Sequence, residues 1–525
     1  AISSAYALIG VQDAKAQEGA ALGDLIKRIE ALESKGGGGN VTAGKIRGLK
    51  IGFNMRHRYE NRRQDFTSIT SGAANNPVNN VVNRWRRWQQ TRTSQAGRAH
   101  QSRKVGQDFT VQRVRLNFDA DVNKNVRGFI MLQDARTWGE ENSTAGNLQR
   151  TDMQEAYVDL RNLGDLSSIL SNTELRIGRW QAAYGNQRLI GHLNWANQAR
   201  SYDGARVKYS NKKNLWVDFF AWQVKETATG GVDGGGVLST TPDVTKVDEL
   251  LWGLYAQYKF DGFLKGNLIE PYLIIRDQSS EQSPSNAAGT TRPNKEERYT
   301  AGFRLVGKNM SGLGGLDYTV EPAWQFGTTE YSPDNVVDDG SRTQRSEPIQ
   351  AWAIYAGTGY RFKDLPWQPR IGYAYTFASG DDNYGRGSAK TFDHIYPTGH
   401  AQLGYMDYAA WQNMRNHQIH LNLKPTKKLV VDTKVHFFNL DEEADSWYSV
   451  AGGVGGGAVN GGGVVRRGAH TFIDPQTGVE REIDDEIGQE VDITLKYKLL
   501  KNFGIVAGYS HFFAGDFVED TGAGV

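Results

Sequence analysis

From Leu49 onward, apolar and polar residues alternate with a period of two. In 49–62, LKIGFNMRHRYENR, Ile51, Phe53, Met55 and Tyr59 share one face, and Asn54, Arg56, Arg58 and Glu60 the other. In 110–122, Val114, Leu116, Phe118 and Ala120 oppose Arg113, Arg115, Asn117 and Asp119. RYTAGFRLVG, LDYTVEPAWQF, QIHLNL and EVDITLKYKL repeat the scheme. Such alternation predicts strands with one apolar face. These runs extend over about 10–14 residues, where a soluble strand usually has five or six. Aromatic residues sit near the ends of the apolar faces. Together these features predict strands that cross a bilayer, with lipid on one face and a wet lumen on the other.

The connections alternate in length. NKN at 123–125, NKK at 211–213, KDLP at 363–366 and PTKK at 425–428 are short. Between them lie long Gly-, Asp- and Asn-rich stretches, roughly 63–107, 184–202, 227–248, 278–294, 329–348, 380–413 and 441–485. Short turns at one end and long loops at the other are the layout of an outer-membrane barrel, with the long loops outside the cell. The expected fold is therefore all-β, a transmembrane antiparallel barrel. About 17 strands can be counted in the sequence. Because such barrels have an even number of strands, about 18 are expected, with the final one lying beyond the sequence.

Residues 1–47 read differently, as an N-terminal periplasmic segment preceding a barrel that spans 48–525. Asp24 could cap a short amphipathic helix carrying Leu22, Leu25, Ile29 and Leu32 at 3, 4, 3 spacing. Four glycines at 36–39 then form a hinge. The helix either docks on the body or joins protomers into a homo-oligomer. The chain begins at Ala1, as expected after signal-peptide removal or trimming.

Composition agrees with this reading. The 525 residues include 61 glycines, 13 tryptophans, 23 tyrosines and 21 phenylalanines, and only 13 prolines. The absence of cysteine excludes disulfides and thiolate metal sites. No apolar run is long enough for a transmembrane helix. The mean hydropathy of −0.57 is compatible with a barrel, since only alternate residues of its strands meet lipid.

By parity the lumen is expected to carry Arg56, Arg58, Arg113, Arg115, Arg206, Lys208, Arg298, Arg304 and Arg370. Arginine keeps its charge and grips carboxylate, sulfate or phosphate with two parallel donors, so a ring of it favours anions. The competing reading pairs these groups with Asp119, Asp121, Glu155, Asp159, Glu270 and Glu321 as structural braces; most are expected to be paired and a minority free. Parity does not settle the face of Asp134, Arg136, Arg176 or Arg179. His417 is expected to face outward, and His420 and His436 inward.

The formal net charge is only +2, yet NRWRRWQQTR at 83–92 holds four arginines and two tryptophans. It falls in the first long loop, where Arg84, Arg86, Arg87 and Arg92 could steer anions at the pore mouth. They could instead meet outer-membrane lipid and lipopolysaccharide phosphates. Nucleic acid is not an expected partner; anionic small molecules or oligosaccharides are. SGDDNYG at 379–385 and DEEAD at 441–445 cluster oxygen ligands that a loop-bound calcium could use, but without the spacing of a known calcium loop. No cofactor, metal motif or Ser–His constellation is expected, so the chain is not expected to be an enzyme.

Several segments resemble the alginate-export family of bacterial outer-membrane porins: RVRLNFDADVNKNVRGFIMLQDARTWG, QEAYVDL, LRIGRWQAAYGNQRLIG, NWANQARSYDGARVKY, YPTGHAQLGYMD and YSHFFAGDFVEDTG. They occur in order between about residues 48 and 525. The resemblance implies a barrel of about 18 strands with an arginine-rich lumen for ion transport, anion-selective and passive. The alternative is a barrel plugged by its loops, acting as a surface binding or structural protein.

Overall fold

The computed structural model describes residues 2–11, 47–64, 105–140, 151–228, 246–281, 293–308, 314–331, 345–382, 387–450, 464–466, 471–473 and 480–521. In chain order the strands are β1 (Ile2–Val11), β2 (Arg47–Gln64), β3 (Val105–Asp121), β4 (Val126–Thr137), β5 (Thr151–Leu160), β6 (Thr173–Trp180), β7 (Tyr202–Ser210) and β8 (Leu215–Ala228). They continue with β9 (Lys246–Lys259), β10 (Asn267–Glu281), β11 (Pro293–Lys308), β12 (Leu316–Tyr331), β13 (Arg345–Arg361), β14 (Arg370–Ala378), β15 (Met414–Leu423) and β16 (Leu429–Asn439). Two small hairpins follow, β17 (Trp447–Tyr448) with β18 (Val464–Arg466), and β19 (Thr471–Ile473) with β20 (Glu480–Glu482). β21 (Glu486–Leu500), β22 (Phe503–Ala514) and a short helix, Asp516–Thr521, end the described chain.

One 18-stranded antiparallel sheet contains all but the two hairpins. Each strand from β2 to β15 pairs with the next, β16 pairs with β21, and β21 with β22. Seventeen of the strands are those that the alternation marked from about residue 48. The eighteenth place, expected after the last visible strand, is taken by β1, which pairs with both β22 and β2 and closes the ring. Closure matters because an open edge would leave backbone groups unsatisfied in lipid. The helix expected near 21–35 and the hinge at 36–39 lie outside the described residues.

The inversion of inside and outside is visible row by row. On β21 the apolar Ile493, Leu495 and Tyr497 are exposed on the outer face, while Glu490, Asp492 and Thr494 are buried inside. On β12, Trp324 and Phe326 point out and Glu321, Ala323 and Gln325 point in. Strands of the large sheet run from 8 to 18 residues, a wider range than the alternation alone gives. The short turns are closed by local side-chain acceptors, as Asn and Thr turns require. Asn123 Oδ1 accepts the N–H groups of Asn125 and Val126 at 2.8 and 2.9 Å. Asn211 Oδ1 does the same for Lys213, Asn214 and Leu215.

Two of the long connections fold back into the barrel. Loop 181–201 joins β6 to β7. The described parts of the loop between β14 and β15 are 379–382 and 387–413. The two loops meet at a parallel bridge between Ile190 and Tyr396. Gly191 donates its N–H to Tyr396 O, Tyr396 to Leu189 O and Thr398 to Gln187 O, each at 2.8 Å. Small inward residues, Ala323, Ala351, Ala353 and Ala378, leave room for Phe392, Ile395 and Trp411 against the wall. On the other side Tyr184 stacks on Phe220 and Tyr255 at 5.4 and 4.6 Å. An apolar cluster thus fills much of the interior, and this burial holds the loops in place.

Candidate functional site: a basic cluster in the lumen

β2 and β3 pair with Arg56 opposite Arg113. The period of two places Arg56, Arg58, Arg113 and Arg115 on the inner face, where all four are buried. Arg58 pairs with Glu60, which also accepts from Arg62 Nε at 2.7 Å. Arg56, Arg113 and Arg115 have no carboxylate within ion-pair distance among the described residues. Their acceptors are neutral. Arg56 donates to the carbonyls of Asn194 at 2.6 Å and Ala196 at 3.1 Å. Arg113 donates to Asn194 O at 3.3 Å. Arg115 donates to Gln133 Oε1 at 2.8 Å and Asn194 Oδ1 at 3.4 Å. Trp195 lies between Arg58, 4.0 Å from its ring, and the imidazole of His400, stacked at 3.9 Å.

The positive field shows in the neighbouring loop. Burial, together with the charges of Arg115, Arg113 and Arg200, pushes the His192 imidazole below its usual value.

The other expected lumen cations also face inward but are engaged. Arg206 donates to Glu174 at 2.8 Å, and the Lys208 ammonium sits 4.6 Å from the Trp216 ring. Arg298 donates to Glu296 and Gln325, each at 2.8 Å. Arg304 donates to Glu270 at 2.6 Å, and Arg370 to Asp317 at 2.7 Å. Of the acids expected to brace these cations, Glu270 does so with Arg304. The others hold different arginines: Asp119 and Asp159 hold Arg127, Asp121 meets Arg161, and Glu321 meets Arg188. Glu155 instead accepts the N–H of Gln181 at 3.2 Å.

Of the unassigned residues, Arg176 faces inward onto Asp159 at 2.6 Å. Arg179 faces outward and pairs with Asp203 at 2.6 Å, and Asp134 pairs with Arg136. His417 faces outward, while His420 and His436 face inward as expected. His420 meets Asp432 at 2.6 Å.

Lys496 and Lys498 share the parity of Glu490 and Asp492, so they extend the inner row of β21 to its short-turn end. Arg84, Arg86, Arg87 and Arg92 lie outside the described residues. The two acidic stretches do come together, Gly380 N–H donating to Asp441 Oδ2 at 3.0 Å. Among the described residues, no group of three or more His, Asp or Glu is arranged to hold a metal ion.

No curated protein matches this sequence. Solved structures similar to it include three outer-membrane proteins. Pseudomonas aeruginosa OpdK with vanillate is 10% identical with a TM-score of 0.44, covering 90% of this chain and 100% of that one. The outer-membrane channel DcaP of Acinetobacter baumannii is 14% identical with a TM-score of 0.35, covering 90% and 99%. An anion-selective porin from Comamonas acidovorans is 14% identical with a TM-score of 0.33, covering 78% and 93%. The sequence profile described as alginate export matches residues 85–524. The chain belongs to the alginate-export family, whose members are β-barrel porins of the bacterial outer membrane.

Proposed function

We propose that this barrel is a passive channel preferring anionic solutes or oligomers, with its short-turn end in the periplasm and its long loops outside the cell. The observation that carries this reading is the cluster of Arg56, Arg113 and Arg115, buried in the lumen with neutral hydrogen-bond acceptors and no carboxylate within ion-pair distance among the described residues. Arg206, Arg298, Arg304 and Arg370 each meet an Asp or Glu, which offsets much of their field. Arg56, Arg113 and Arg115 make no such contact, Glu60 and Glu155 acting on Arg56 and Arg115 only from beyond ion-pair distance, and a low-dielectric surround strengthens the field that remains. Anions would enter this side of the lumen, with Lys496 and Lys498 on β21 extending the basic surface toward the short turns. No chemical step is assigned; the residues attract, orient and pass the solute.

The test is the reversal potential of the barrel in a planar bilayer under a KCl gradient. It is expected near the chloride equilibrium value, moving toward zero in Arg113→Ala/Arg115→Ala. A potassium-preferring reversal potential in the parent protein would refute the proposal. The apolar packing of loops 181–201 and 387–413 favours a second reading, a closed barrel that serves as a binding surface. Negligible current under all salts would support it.

A further inference from the structure

We infer that the loop tip 194–197 is a built-in competitor occupying an oxyanion-binding site, and that an incoming carboxylate, sulfate or phosphate displaces it. This rests on the anion-channel reading and adds its gate. The tip offers the arginines three carbonyl oxygens, of Asn194, Trp195 and Ala196, and two amide oxygens, of Asn194 and Asn197. These acceptors are uncharged. Oxyanions form shorter and stronger bonds to guanidinium, often through two oxygens at once.

The cluster retains unused donors. Arg56 Nε, Arg113 Nε and Arg115 Nη2 are buried without an acceptor among the described residues. Arg56, Arg113 and Arg115 are 7%, 3% and 7% exposed, so water does not readily replace the missing acceptor. A site with surplus buried donors and neutral occupants is poised to exchange those occupants for a charged ligand.

Besides the arginines, the loop's tip is held by Trp195 stacked on His400 and by Asn197 Nδ2, which donates to Gln112 O and Arg136 O at 3.1 and 3.3 Å. The loop's base is fixed to the other plug loop through Leu189, Gly191 and Gln187. Two non-glycine residues in left-handed backbone, Leu193 at φ 47° and Ala199 at φ 65°, bracket the tip. Strain at both ends favours movement once the arginine contacts and these further contacts of Trp195 and Asn197 are given up. The shutter is therefore five to seven residues long, and solute binding and opening are one event.

The absence of native cysteine permits a direct test. Ala196→Cys in the full barrel, in lipid vesicles, is labelled with a charged maleimide in sodium chloride, sulfate or galacturonate at equal ionic strength. Labelling is expected to be several-fold faster in an oxyanion than in chloride, and equal in all salts once Arg115→Gln is added. A rise with sulfate alone assigns the site to inorganic oxyanions; a rise with both extends it to carboxylated solutes. Equal rates in the three salts, or a rise that survives Arg115→Gln, would overturn the inference. If the parent channel still prefers chloride over potassium, the anion-channel reading stands and only the competitor fails.

Discussion

Arg188, in the loop between β6 and β7, reaches across the lumen to Glu321 on β12, its Nη1 2.9 Å from Oε2. Both side chains are buried, and the guanidinium lies 3.5 Å from the Tyr355 ring. The pair ties the plug to the wall opposite the basic cluster. Removing one partner of a buried pair strands the other charge, at a cost of about 3–5 kcal/mol. Arg188→Met should therefore loosen loop 181–201, raising conductance and current noise. Arg188→Met/Glu321→Met should restore much of the lost stability, because no charge is left alone. A single variant with parental conductance and urea stability would contradict this role.

The braced side of the barrel should behave differently from the basic cluster. Arg127 bridges Asp119 at 2.6 Å and Asp159 at 2.8 Å, and Arg176 adds a second contact to Asp159. Arg127 stays partly accessible, so the loss for Arg127→Met is set below the fully buried case, at roughly 2–3 kcal/mol. Urea unfolding in vesicles should register it. The reversal potential should stay at the parental value, because neighbouring carboxylates already cancel this charge. A selectivity shift as large as that of Arg113→Ala/Arg115→Ala would merge the two classes of arginine.

The wall was legible in the sequence because its information is local. A period of two places Arg56, Arg298 and Arg370 inside without knowledge of their partners, and the same count sends His417 outward. The plug was not legible. Its bridge joins Ile190 to Tyr396, more than two hundred residues away, and the irregular sequence of 181–201 gives no periodic mark of burial. Alternation likewise leaves open which arginines are neutralised. Arg304 and Arg113 occupy equivalent inner rows, yet one meets Glu270 and the other only Asn194 O. That difference is set by register between strands and by a loop, neither of which a single-strand pattern contains.

Acidity should tighten the long-loop end of the barrel. Burial pushes the Asp445 carboxyl up to about 6, against hydrogen bonds from Thr391, Tyr448, Ser446 and Asp381. The closed loop thus holds this proton more tightly than the open chain, where aspartate titrates near about 3.9. Closure is strongest below the open-chain value, weakens as pH rises to about 6, and is level above that. Proteolytic nicking of 440–450 should accelerate over this interval, and Asp445→Asn should abolish that acceleration. An unchanged pH profile in Asp445→Asn would transfer the effect to Asp441 and Glu442, whose carboxyls burial also raises.

Gly404 sits at φ +95°, and a Cβ there would lie 2.6 Å from both carboxylate oxygens of Glu490. That carboxylate also accepts the Met406 N–H at 2.9 Å, fixing the loop to β21. Gly404→Ala therefore adds a steric push to a backbone strain of about 1–3 kcal/mol. Gly387, at φ +85° with nothing within 4 Å of its Cβ, isolates the strain alone. Gly404→Ala should raise conductance and lower urea stability more than Gly387→Ala does. Shortening Glu490 to Ala in the Gly404→Ala background should recover part of the stability, since the clash goes while the strain remains. Equal losses at the two glycines would show that loop 399–408 does not depend on its close approach to Glu490.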